Sequence, residues 1–254
     1  MPLLPGAEPW SHDGGPTAAL LCHGFTGSPC SLRPWAEHLA AAGFTVDLPR
    51  LPGHGTRWQD LALTRWEDWY AEVDRAFQAL RRRCSTVVVA GLSMGGCLAV
   101  RLAEQHGPDV DGLILVNPSL TSAKRALRVL PLLKAVVPTV AGPGNDIKKP
   151  GVSEHAYDRM PLRALHSLTQ LWRLTAEDLP RVTQPVLLYR SRVDHVVEPD
   201  SARMLLDRIS STDVEEVVLE DSYHVATLDN DAERIFAGSV DFLRRVARPA
   251  RAGG

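Results

Sequence analysis

Gly91-Leu92-Ser93-Met94-Gly95 follows the β-branched run Thr86-Val87-Val88-Val89, with Ala90 between, and stands directly before Gly96-Cys97-Leu98-Ala99-Val100. The first run reads as a buried strand and the last as a buried helix. Only a sharp turn fits between them. A serine on such a turn projects above the end of a sheet, at a helix N-terminus whose free N–H groups favour negative charge. Gly-x-Ser-x-Gly between a strand and a helix is a known signature of a reactive serine. This one stretch therefore predicts an α/β sheet and a nucleophilic hydroxyl together.

Working outward, the same alternation recurs. Residues 17–22 form an apolar run ended by His23-Gly24, and 44–48 form another; both read as strands. Residues 29–42 between them read as a helix that Gly43 stops. Residues 64–82 carry the helical stripe Trp66, Trp69, Tyr70, Val73, Phe77 and Leu80, with Thr64 as the expected N-cap and Glu67 completing a capping box. Helix 95–106 and strand 112–116 follow the serine. Strand 185–190, helix 199–209, strand 214–219 and helix 231–246 resume the rhythm later. Alternation of this kind predicts a mostly parallel sheet with helices on both faces.

The rhythm breaks over 119–180. That stretch has no strong strand pattern, helical pieces at 124–137 and 160–176, and a Gly/Pro-rich link from Ala141 to Gly151. Its Leu127, Val129, Leu130, Leu132, Leu133, Val136 and Val137 are too apolar for a free linker. The expected organisation is a first core part over 1–118, a helical cap over 119–180, a second core part over 181–247 and a frayed tail over 248–254.

The 254 residues suit one large α/β domain. A formal charge of -2, with bases and acids interleaved, argues against a nucleic-acid partner. No stretch approaches the ~18 apolar residues of a membrane span, and Met1–Pro16 lacks the basic start and apolar block of a signal peptide. The expectation is a cytoplasmic protein, with peripheral membrane attachment left open. Cys22, Cys30, Cys84 and Cys97 form no metal-binding spacing and read as buried free thiols.

A serine hydroxyl needs a base, and the base needs an orienting group. Both must come from strand ends at one edge of the sheet. Asp194 is the acid just beyond strand 185–190, and His224 is the histidine just beyond strand 214–219. The chain order Ser93, Asp194, His224 is one of the orders in which such triads occur. His195, His54 and His155 are rivals as base, in loops less suited to it; Asp221 and Asp200 are rivals as acid. An oxyanion hole needs two donors. The Met94 N–H, after the nucleophile, is one. The Phe25 N–H, in the loop His23-Gly24-Phe25-Thr26-Gly27, is the other. His23 and the Gly53-His54-Gly55 turn read as structural anchors. No metal or organic cofactor is needed for this chemistry.

Taken in order, Leu21–Gly27, Leu48–Thr56, Gly91–Gly96, Asp194–Val197 and Glu220–Asp229 resemble the α/β-hydrolase superfamily. Within it the chain is most similar to bacterial monoacylglycerol lipases and small bacterial carboxylesterases. Asp221 departs from the asparagine usual there. The resemblance implies a helical cap inserted after the sixth strand of that fold. It also implies a monoacylglycerol substrate and glycerol and fatty acid as products. Glu154 matches the family glutamate that contacts glycerol; from the sequence alone it is only a surface acid. Two other readings remain at this level: a broad carboxylesterase for short- to medium-chain esters, with the same triad, and a non-catalytic binding protein on the same frame.

Overall fold

Thr17–Cys22 sends Ala18, Leu20 and Cys22 into one core and Ala19 and Leu21 into another. Side chains alternate along a strand, so a continuous apolar run requires cover on both faces. The computed structural model describes residues 2–247 except 125, 126, 128 and 143. Its strands are β1 (Trp10–His12), β2 (Thr17–Cys22), β3 (Thr45–Leu48), β4 (Thr86–Leu92), β5 (Gly112–Val116), β6 (Thr139–Ala141), β7 (Arg159–Pro161), β8 (Val186–Ser191) and β9 (Val214–Leu219). Its helices are α1 (Arg33–Ala41), α2 (Trp58–Leu61), α3 (Trp66–Arg81), α4 (Met94–His106), α5 (Leu130–Leu133), α6 (Leu162–Asp178), α7 (Asp200–Arg208) and α8 (Ala232–Val246).

Seven strands make one sheet in the order β1-β3-β2-β4-β5-β8-β9. Only β1 runs antiparallel to its neighbour. On one face, Trp69 and Phe77 of α3 and Leu98 of α4 pack with α6 and α7 over Val87, Val89, Leu113 and Leu115. On the other, Trp35 of α1 and Phe236 and Leu243 of α8 cover Val88, Ala90, Ile114 and Val116. Trp35 is fully buried, and its Nε1–H donates to Ser239 Oγ at 3.1 Å, so the indole's polar end is satisfied inside the core. Edge strand β9 is narrowly apolar and carries exposed Glu215 and Glu216, charges that discourage pairing with another chain.

The mostly parallel, doubly covered sheet is as the sequence predicts. Some details differ. Helix α3 begins at Trp66 with Arg65 at the N-cap, not Thr64. Asp68 Oδ2 accepts the Arg65 N–H at 2.8 Å, the service Glu67 was expected to give. Thr64 Oγ1 instead accepts from Trp69 Nε1 at 3.0 Å. The short edge strand β1 carries no periodic signal and was not expected. Cys22, Cys84 and Cys97 are buried free thiols, but Cys30 is only half-buried.

Between β5 and β8 the chain leaves the sheet. This excursion holds α5, α6 and a two-stranded antiparallel ribbon of β6 and β7. Three-residue strands are too short for a period-two pattern, which is why none was expected there. The helix expected over 124–137 shrinks, among its described residues, to a single turn at Leu130–Leu133 and adjoining turns; Pro131 and Pro138 leave little room for more. The helix expected at 160–176 is α6. The tail at 248–254 lies outside the described residues. No helix among the described residues is long and apolar enough to cross a membrane.

Candidate active site

Ser93 follows β4 and precedes α4 with φ 56° and ψ -118°. A non-glycine residue there is strained, and the strain persists only because its surroundings fix it. The glycines on either side are sterically required. A Cβ at Gly91 would lie 2.2 Å from the Gly95 carbonyl, and one at Gly95 would lie 1.8 Å from the Cys22 carbonyl oxygen. Strand and helix therefore cross almost in contact, and the serine between them is thrust outward. Among the described residues the Ser93 hydroxyl makes no protein hydrogen bond and lines a cavity of about 240 Å³.

His224 and Asp194 come from the loops after β9 and β8. His224 Nδ1 lies 2.7 Å from Asp194 Oδ2. Asp194 Oδ1 accepts the Val196 and Val197 N–H groups, each at 2.8 Å. Burial alone would raise the Asp194 pKa, but the opposing His224 and these hydrogen bonds hold it below the ordinary aspartate value. An ionised Asp194 accepts a hydrogen bond from the Nδ1–H of His224, which keeps the proton on Nδ1 and leaves Nε2 with a free lone pair. Burial alone would lower the His224 pKa; Asp194, then Glu154 and Asp146, hold it above the ordinary histidine value. His224 and Ser93 line the same cavity.

The loop after β2 passes against the serine: a Cβ at Gly24 would sit 3.6 Å from Ser93 Cβ. Gly24 and Phe25 line the cavity, and among the described residues neither the Phe25 nor the Met94 N–H has a protein acceptor. Buried His23 holds this loop. Its Nε2 accepts the Leu51 N–H at 3.1 Å, so its Nδ1 carries the proton and donates to Gly24 O at 3.0 Å. Burial pushes its pKa down to about 4, so it stays neutral. His54 is a buried anchor too, with Nδ1 3.0 Å from Pro52 O and its ring edge-on to Trp69.

The rivals have other partners. Asp221 pairs with Lys148 at 2.5 Å, Asp200 with Arg203 at 2.8 Å, and His195 Nδ1 with Asp146 at 2.8 Å. His155 is exposed.

Glu154 lines the cavity with Ser93 and His224. Burial and the nearby Asp146 push its pKa up to about 7, while His224 opposes the rise. Leu127, Met160, Leu165, Leu168 and Trp172 of the excursion supply apolar wall, as do Leu92 of β4 and Val197 of the loop after β8.

Two site residues escaped the sequence reading. Asn117, just past β5 with φ 44°, accepts the Ser191 N–H at 2.8 Å and donates to His224 O at 2.8 Å, tying three strand ends together. Its only signal is a polar residue at the end of the run Gly112–Val116. Asp146 hydrogen-bonds to the His224 backbone from 78 residues away, and nothing in the sequence marks it.

Residues 16–231 match the family described as serine aminopeptidase, S33. The thermostable monoacylglycerol lipase of Bacillus sp. (strain H-257) is 43% identical over 251 residues, 97% of this chain and 98% of that protein. A carboxylesterase of Bacillus subtilis (strain 168) is 23% identical, covering 94% and 97%. A solved chain from work on two metagenome-derived lipolytic enzymes, LipS and LipT, superposes with a TM-score of 0.93 at 41% identity, covering 96% of this chain and all (100%) of that one.

Proposed function

This chain belongs to the serine aminopeptidase S33 family of α/β-hydrolases, and from that premise we propose that it hydrolyses monoacylglycerols to glycerol and free fatty acid through a covalent acyl-enzyme. One observation carries the reading: His224, paired to Asp194, and the unbonded hydroxyl of a strained Ser93 line one cavity with a largely apolar wall. The 43% identity to a monoacylglycerol lipase over nearly the whole of both chains supports the headgroup.

In this mechanism the acyl chain lies against the excursion residues, which act as a cap, and each CH₂ buried there stabilises binding by ~0.8 kcal/mol. Ser93 attacks the ester carbonyl as His224 Nε2 takes its proton. The Phe25 and Met94 N–H groups receive the oxyanion. Asp194 holds the imidazole in its tautomer and stabilises its charged form. His224 then returns the proton to the leaving glycerol oxygen. A water, deprotonated by His224, attacks the acyl-enzyme and releases the fatty acid, regenerating Ser93.

Activity across monoacyl-, diacyl- and triacylglycerols of one fatty acid, beside short synthetic esters, tests this reading. Turnover should be highest for the monoacylglycerol and drop steeply once a second chain is present. Triacylglycerol cleavage at a comparable rate would contradict the reading. Faster cleavage of short esters would favour the carboxylesterase alternative.

Glu154 is the proposed reader of the glycerol hydroxyls, since it lines the cavity beside Ser93 and His224 and its ionised carboxylate would accept their hydrogen bonds. E154Q keeps its size and removes its charge. A hydrogen bond to a charged group contributes ~1.5 kcal/mol or more. The kcat/KM preference for a monoacylglycerol over the methyl ester of the same acid should therefore fall by about tenfold. An unchanged ratio would dismiss Glu154 from this role.

A further inference from the structure

Asp146 belongs to the excursion, yet its hydrogen bonds go to the two loops that carry the base and the acid. Its Oδ2 accepts the His224 N–H at 3.1 Å and the His195 N–H at 3.2 Å. Its Oδ1 lies 2.8 Å from His195 Nδ1, and its carbonyl oxygen accepts the Val225 N–H at 3.1 Å. Asp194 is the neighbour of His195, so one side chain spans both catalytic loops. A second carboxylate continues the stitching: buried Asp229 accepts the Lys148 N–H at 2.7 Å and the Lys149 and Tyr223 N–H groups at 2.8 Å. The segment from Asp146 to Lys149 is thus fastened along the histidine loop.

We propose that Asp146 is a positioning residue for the reaction: it fixes the loops of His224 and Asp194 relative to one another, and its negative charge favours the imidazolium that forms on His224 when Ser93 attacks. The inference rests on the triad reading above and adds a fourth residue to it.

Fastening alone does not explain a carboxylate. Asn in the same place could accept the same two backbone N–H groups. A charge in a cavity wall is costly unless something opposite uses it. His224 becomes that partner in the transition state, while Asp194 on its far nitrogen is already committed. Asp194 hydrogen-bonds the His224 ring, and the acids Glu154 and Asp146 add to its electrostatic support. Other titratable groups nearby include His195, paired to Asp146, Lys148, which lies over the Tyr223 ring, and Lys124 and Glu198, which line the cavity.

The test is the pH dependence of kcat and kcat/KM for D146N on a short water-soluble ester. Asn keeps the shape, and His195 can switch tautomer to face the amide. Without the anion that favours the imidazolium formed as Ser93 attacks, kcat should fall by about tenfold, with KM within about twofold. His224 acts as base only when neutral, so activity falls as pH drops through its pKa. Removing an anion that favours the charged form moves this acid limb to lower pH. Glu154 then ionises more readily and opposes part of the shift, so D146N is also compared within E154Q. D229N cuts the neighbouring fastening but removes no carboxylate that faces His224; its acid limb should stay at the wild-type position. The proposal is overturned if D146N keeps the wild-type limb and kcat, or if D146N and D229N move the limb alike. If D229N does not fold, D146N against wild type still decides. Ester hydrolysis by wild type with no effect of D146N sinks this inference alone; no hydrolysis by wild type sinks the triad reading with it.

Discussion

S93A should abolish ester turnover, lowering kcat by about a millionfold, the scale seen when a triad nucleophile or its base is removed. The size follows from the covalent route. Without Oγ no acyl-enzyme forms, and only the oxyanion donors and substrate binding remain to help water attack; such a remnant is worth ~10³–10⁴ over the uncatalysed rate. Alanine removes one oxygen that makes no protein hydrogen bond among the described residues, so the fold should survive. The positive φ of 56° at this position is equally awkward for alanine and serine. Steady-state kinetics on a chromogenic ester, with a thermal melt to confirm folding, checks the expectation. An S93A protein within tenfold of wild type would remove the serine from the mechanism.

D194N should cost about 10⁴ in kcat, with a smaller change in KM. Asn can still accept the Val196 and Val197 N–H groups, which Asp194 Oδ1 takes at 2.8 Å each, so the loop should hold. The failure is in the proton's address. An amide N–H facing His224 makes Nδ1 the acceptor, which places the imidazole proton on Nε2. That nitrogen can no longer take the Ser93 proton. The held-down pKa of Asp194 keeps wild type clear of this state throughout the neutral range. A D194N enzyme within about tenfold of wild type would assign the orienting role to another acid.

The sheet was legible because its strands are buried on both faces. Val87-Val88-Val89 and Gly112–Val116 can hardly be anything else. The elbow was legible because Gly91 and Gly95 leave no room for a side chain. Asp194 and His224 were legible as the polar groups just past the ends of β8 and β9. Short elements were not: β1, β6 and β7 have three residues each, below the length at which a period shows. Prolines 131 and 138 outweighed the apolar spacing that suggested a longer helix over 124–137. Thr64 looked like a cap by type, yet its hydroxyl serves the Trp69 indole instead. Glu154 was visible only through resemblance, and Asp146 and Asn117 not at all. Their roles exist only once segments 70 or more residues apart meet, and no local pattern encodes that meeting.

In this mechanism Ser93 alone among the serines is activated, by His224. Treatment with a fluorophosphonate followed by peptide mass analysis tests it most directly. One adduct per chain is expected, on the peptide that contains Ser93, at a rate that collapses in D194N, with no adduct in S93A. Full esterase activity after exhaustive treatment, or an adduct on another serine that tracks the loss of activity, would contradict it.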